Sequence, residues 1–276
     1  MPAIEGENAV NTPIDVTLEA GALPMHYLAV NHDEARLIKG GVPAEAHLSI
    51  YVNGQELATL MCSPTDQEAL AVGFLRNEGI IESLAEVGLV QRNVPGTTID
   101  VMLHASRFSL PRRMILTSGC GGGLTFQTIT GQYSPLDSDF KISPETLTLR
   151  MRDLNLAARL YRQVRGVHTS VLADEAGVLL IAEDVGRHNT IDKLAGKALF
   201  DSVPTQDRMI ITSGRISSEM LMKARRMGVP LVASRTAPTS ISVSLAQAWR
   251  ICVVGYLRHG GMRVYTCPER LGLVGV

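Results

Sequence analysis

From His168 onward, short apolar runs alternate with segments of helical period, and no other feature constrains the fold as strongly. The runs are His168-Thr-Ser-Val-Leu-Ala173, Gly177-Val-Leu-Leu-Ile-Ala182, Met209-Ile-Ile-Thr212, Leu231-Val-Ala-Ser234 and Ile251-Cys-Val-Val-Gly255. Between them Ile191, Leu194 and Ala198, then Met220, Ala224 and Met227, then Ile241, Leu245 and Trp249 recur at helical spacing. A further short strand is expected over Met262-Arg-Val-Tyr265. Such alternation predicts an α/β fold, a three-layer α/β/α sandwich around a mainly parallel sheet. Sheets of this kind bind ligands in the crevice beyond the carboxyl ends of their strands.

Upstream the pattern is different. Two alternating segments, Ala46 to Val52 and Gln55 to Met61, flank Asn53-Gly54, which predicts a hairpin closed by a type I′ turn. A helix follows, with Thr65 and Glu68 at capping-box spacing, Leu70, Ala71, Phe74 and Leu75 as its buried stripe, and Gly79 as its stop. Val87 to Gln91 and Thr97 to Leu103 read as two more strands. The expected organisation is a flexible arm (1–25), a small β-rich N-terminal domain (26–110) and the α/β domain (111–276). Ser143-Pro144 starts one long helix running past Tyr161 to Gly166, and the polar stretch Gly131 to Asp139 reads as a mobile loop.

Composition removes whole classes of function. With a net charge of −1 and 4% aromatic residues, the chain offers neither a basic footprint nor stacking platforms for nucleic acid. It has no run long enough to span a bilayer, and its first eight residues lack the basic and apolar regions of a signal peptide. The expectation is a cytoplasmic protein. The four cysteines, Cys62, Cys120, Cys252 and Cys267, show neither metal-ligand nor redox spacing. Cys62 and Cys252 lie inside apolar runs and read as buried core thiols.

Cys120 differs. It ends the apolar run Met114-Ile-Leu116 and is followed by Gly121, Gly122 and Gly123. Free backbone N–H groups around one point favour an anion, and a stabilised thiolate is a nucleophile at neutral pH. A plain glycine-rich turn holding an inert cysteine is the alternative.

Three further polar loops fall at the expected carboxyl edge: Glu183 to Thr190, Ser213 to Ser218 and Ser234 to Ser240. They carry Arg187, Arg215 and Arg235, whose guanidinium forks suit phosphate oxygens, beside helix N-termini that favour anions. Asp184 and His188 have bland readings as a helix cap and a structural histidine. The stretch Tyr256-Leu257-Arg258-His259-Gly260-Gly261 is a further candidate loop. The Walker and dinucleotide fingerprints are absent, as are the His-x-Glu and Cys-x-x-Cys pairs of a zinc deaminase.

Glu183-Asp-Val-Gly-Arg-His-Asn-Thr-Ile-Asp-Lys193, Thr212-Ser-Gly-Arg-Ile-Ser-Ser218, Ser234-Arg-Thr-Ala-Pro-Thr-Ser240 and Tyr265-Thr-Cys-Pro-Glu-Arg270 together closely resemble the formate dehydrogenase accessory sulfurtransferase family, FdhD. The resemblance runs from about residue 45 to the C-terminus. It implies a fold similar to cytidine deaminases without their zinc, and a sulfurtransferase that carries sulfur as a persulfide. The donor it implies is a cysteine desulfurase, and the acceptor is the molybdenum bis(molybdopterin guanine dinucleotide) cofactor of the client, formate dehydrogenase. The persulfide cysteine maps onto Cys120, and the cofactor-binding segment onto Tyr256 to Gly261, with Arg187 and His188 as further contacts. A homodimer is the default assembly, and no intrinsic metal is expected. One departure stands out: many members carry Cys-Gly-x-Cys-Gly, and this chain has Gly123 at the second thiol. Single-cysteine transfer remains chemically sufficient. The alternative function is a non-enzymatic cofactor chaperone, and a nucleotide hydrolase lacks a metal site or base.

Overall fold

The computed structural model describes residues 17–31, 34–105, 133–258 and 260–273. The strands form three sheets among these residues. β1 (Ala22–Asn31) and β2 (Glu34–Pro43) make an antiparallel ribbon. Its apolar residues Leu23, Leu28, Val30 and Leu37 are exposed. The ribbon begins inside the stretch read as an arm and was not legible. None of its residues is fully buried, and among the described residues only the end of β2 packs against the rest of the chain, so it lacks the one-sided alternation by which half-buried strands are recognised.

The second sheet has the order β4-β3-β6-β5, built from β3 (Ala46–Val52), β4 (Gln55–Cys62), β5 (Val87–Arg92) and β6 (Thr98–Leu103). Asn53 and Gly54 both take positive φ, 50° and 75°, as the expected type I′ turn requires. One face packs Leu48, Ile50, Ile99 and Val101 against Leu70, Phe74 and Leu75 of α1 (Gln67–Glu78). Gly79, at φ 74°, closes that helix. The expected capping box does not form. Asp66 occupies the N-cap with φ 51° and makes no side-chain cap bond, while Thr65 Oγ1 accepts from Lys193 Nζ at 3.4 Å and Glu68 pairs with Arg92. Long-range partners claimed both residues.

The third sheet has the order β12-β11-β10-β9-β7-β8, from β7 (His168–Ala173), β8 (Val178–Asp184), β9 (Met209–Thr212), β10 (Leu231–Ser234), β11 (Cys252–Arg258) and β12 (Gly261–Val264). β9, β10 and β11 are parallel, and β7 runs against both β9 and β8. The sheet is therefore mixed, with a parallel run of three strands at its centre. Helical crossovers make β9 to β11 parallel, whereas the short β7–β8 connection makes those two antiparallel. One face of the sheet (Leu172, Ile210, Val232 and Val253) packs on α4 (Arg187–Phe200), α5 (Ser218–Arg226) and α6 (Ser240–Trp249). The other face, Val171, Ile211, Ala233 and Val254, packs on α2 (Pro144–Ala157). Ile241 of the expected α6 stripe is half exposed, because the buried face of that helix begins at Ser242.

Two expectations are corrected here. The long helix past Tyr161 is broken at Ala158 (φ −70°, ψ 73°), and α3 (Arg159–Val164) starts anew. Among residues 133–139 the chain is tied down rather than loose. Tyr133 meets the Trp249 ring edge-on at 5.6 Å, Leu136 N–H donates to the Trp249 carbonyl, and Arg270 reaches the Ser138 carbonyl at 2.8 Å. Composition marks that stretch as polar without revealing the aromatic and arginine anchors that hold it.

Candidate functional site

The register brings the predicted loops to one edge. β8, β9, β10 and β11 point the same way, and His168 at the start of β7 sits opposite Asp184 at the end of β8. Arg187 and His188 begin α4, immediately beyond that edge. Cys120 and the whole stretch 114–123 lie outside the described residues, as does His259. Tyr256, Leu257 and Arg258 belong to β11 and Gly261 to β12, so the candidate loop is the end of a β-hairpin, with Gly260 at φ 92°. Leu257 is buried and unavailable to a ligand, whereas Arg258 is exposed and its Nε donates to the Arg235 carbonyl at 3.2 Å.

The Asp184-to-Lys193 motif divides into a structural half and an available half. Asp184 and Lys193, both fully buried, pair at 2.6 Å. Asp184 also accepts the N–H groups of Ser63 and Gly186 and the Asn189 amide. Asp184 is thus a buried tie; the N-cap of α4 is Gly186. Beneath the edge, hydroxyls of Ser170, Thr190 and Thr212 bond in a buried chain joining β7, α4 and β9. Thr212 Oγ1 accepts the Gly214 N–H, and a Cβ on Gly214 would lie 3.0 Å from Cβ of Arg187 and 3.3 Å from Nδ1 of His168. A side chain at Gly214 would press on both residues where they settle over the β9–α5 turn.

Cations dominate the electrostatics of the edge. Among the described residues, none of Arg187, Arg215, Arg235 and Arg258 forms an ion pair with a carboxylate. Arg187 Nε is buried with no partner. Burial and then Arg215 lower the pKa of Arg187, and burial with Arg187 and Arg235 lowers that of His168. Burial, then Arg187 and Lys223, push His188 down to about 3. Its Nε2 lies 2.9 Å from Ser217 Oγ and 3.3 Å from Glu219 Oε2. Cations and burial outweigh that carboxylate, so the contact is a hydrogen bond of neutral imidazole and not an ion pair. Mutually repelling cations with unfilled donors form a site suited to phosphate oxygens.

Behind His188 a cavity of about 320 Å³ separates β4 and α1 from α4 and α5. Glu78, Glu219 and Lys223 line it; burial raises both carboxyls, while Lys223, bonded to Asp192, is held charged. Sequence reasoning missed this buried charge cluster, because its members come from helices far apart in the chain. Among the described residues no group of three His, Cys, Asp or Glu side chains could hold a metal ion.

The family model described as FdhD/NarQ matches residues 43–272. The chain belongs to the FdhD/NarQ family. A Bacillus subtilis relative named sulfur carrier protein FdhD is 34% identical over 250 residues, covering 86% of this chain and 93% of its own. A Staphylococcus aureus protein of the same name is 35% identical over 232 residues, covering 82% and 88%. The crystal structure of a candidate formate dehydrogenase accessory protein from Desulfotalea psychrophila superposes with a TM-score of 0.75 at 24% identity, covering 91% of this chain and 99% of that one. That likeness establishes a shared fold. In this family member the motif residues Asp184, Asn189 and Lys193 build the scaffold, while Arg187 begins α4 at the edge and His188 beside it is buried against Ser217 and Glu219.

Proposed function

We propose that this protein is a cytoplasmic sulfurtransferase that carries sulfur as a persulfide on Cys120. The donor is a cysteine desulfurase, and the acceptor is the molybdenum bis(molybdopterin guanine dinucleotide) cofactor destined for formate dehydrogenase. The core is of the cytidine-deaminase type, with the β-rich part (26–110) as a small N-terminal domain packed on it, and the protein works as a homodimer. One observation carries the reading beyond the relatives' name. Cys62, Cys252 and Cys267 are all buried, and burial pushes Cys62 up to about 11 and Cys252 up to about 12. A thiol in that range is protonated at neutral pH and inert as a sulfur acceptor. Cys120, in its glycine setting, is the remaining thiol.

The transfer balances without an external oxidant. The Cys120 thiolate attacks the outer sulfur of the desulfurase persulfide; a new S–S bond forms, the old one breaks, and the desulfurase cysteine leaves as thiolate. The cofactor's phosphates dock against Arg187, Arg235 and Arg258, with His188 neutral beside them; on delivery the Cys120 S–S bond breaks, Cys120 leaves as thiolate, and the two electrons that take the outer sulfur to sulfide come from the acceptor cofactor. Intact-mass spectrometry after incubation with a desulfurase and cysteine tests this. The wild-type chain gains a reductant-labile sulfur atom and Cys120→Ala does not; uptake by Cys120→Ala overturns the assignment.

Gly123, in place of the family's second thiol, supports the second reading, a chaperone that binds the cofactor without carrying sulfur. Formate dehydrogenase activity restored to a deletion strain by Cys120→Ala would select it.

A further inference from the structure

Arg235 is gripped by two residues that a continuous helix would keep apart. Its Nη1 donates to Asn155 Oδ1 at 3.2 Å, and its guanidinium carbon lies 5.2 Å from the centroid of the Tyr161 ring. Residues six apart on an unbroken helix are displaced by about 120° around the axis and ~9 Å along it. The break at Ala158 removes that separation, since Asn155 ends up on α2 and Tyr161 on α3. A break exposes backbone N–H groups, and one side chain takes them. The Glu183 carboxylate accepts Leu160 N–H and Tyr161 N–H, each at 2.9 Å, and the Thr169 hydroxyl at 3.1 Å. Alternation along β8 explains the aim: Asp184 faces α4 and Lys193, so Glu183 faces the opposite side, toward α3.

We infer that Glu183 is a positioning residue: by capping the break between α2 and α3 it sets Asn155 and Tyr161 against Arg235 and holds that guanidinium ready for an anion. The inference rests on the anion-site reading above. An arginine fixed before binding loses less side-chain freedom when the ligand arrives, and the face of Tyr161 orients the charge without neutralising it as a carboxylate would.

The test uses the full chain, with inorganic pyrophosphate as probe in calorimetry and the Arg235 Nε–Hε resonance of the free protein as a ligand-independent readout. Arg235→Gln weakens binding by about tenfold or more. Tyr161→Leu and Glu183→Gln weaken it by about three- to tenfold and broaden the Arg235 resonance, and neither weakens it further in the Arg235→Gln background. Tyr161→Phe, which keeps the ring, behaves as wild type in both readouts. If Glu183→Gln fails to fold, the Tyr161 pair decides. An unchanged Arg235 resonance in Tyr161→Leu, or an equal loss of affinity with and without Arg235, overturns the positioning role. Wild-type affinity in Arg235→Gln overturns the anion-site reading instead, even where the resonance follows Tyr161.

Discussion

His188 shows how a site residue is tuned by what surrounds it. With an ordinary value of 6.5 and a folded value of about 3, it stays neutral when folded through a range in which the unfolded chain binds a proton. Stability therefore rises with pH between those two values and this contribution is complete above 6.5, with a slope of at most about 1.4 kcal/mol per pH unit. His188→Gln can keep a hydrogen bond to Ser217 without titrating, and flattens that slope; urea unfolding across the window checks it. The cysteines make the complementary point. Cys252→Ala leaves sulfur uptake by the chain unchanged in mass spectrometry, because that thiol is fully buried in the sheet core and protonated.

Helix α1 reaches the α/β part through two glycines. A Cβ on Gly73 would fall 1.8 Å from the Asp192 carbonyl oxygen, and one on Gly196 would fall 1.9 Å from that of Ala69. Backbone meets backbone there, so no side chain can yield. Gly196→Ala forces α1 and α4 apart and costs about 3 kcal/mol, read as a lower urea midpoint. Gly54→Ala, in open space but at φ 75°, loses only about 1 kcal/mol from left-handed strain. The ranking of the two substitutions separates close packing from backbone conformation.

The whole molecule is sewn together by buried charge. Lys193 pairs with Asp184 and also donates to the Ser63 carbonyl, so one ammonium binds α4, the end of β8 and the segment that follows β4. Lys193→Met strands Asp184 in the interior and costs about 3–5 kcal/mol. Adding Asp184→Leu recovers part of that loss, since the amides of Ser63 and Gly186 still lack their acceptor. Equilibrium unfolding followed by Trp249 fluorescence and by far-UV circular dichroism checks both variants. Because Lys193 and the glycine crossing join the four- and six-stranded sheets, the two signals move together in the wild type.

The strands from Ala46 onward, their turn at Asn53-Gly54 and the helix stops at Gly79 and Gly166 were legible in the sequence because each depends on neighbours within a few residues. Periodicity reports which face is buried, and glycine reports where φ must be positive. The shared edge of Arg187, Arg215 and Arg235 followed from strand–helix alternation, since parallel strands place their ends together. What tertiary structure alone decided is which polar residues are free. Asp184 and Arg187 stand three apart in one motif, yet one is locked to Lys193 and the other keeps an unfilled donor. Thr65 left its capping box for Lys193, Glu183 capped a helix break that no local signal marked, and the β1–β2 ribbon formed without a buried face. In each case the deciding partner lies far along the chain or is solvent, and local pattern carries no record of either.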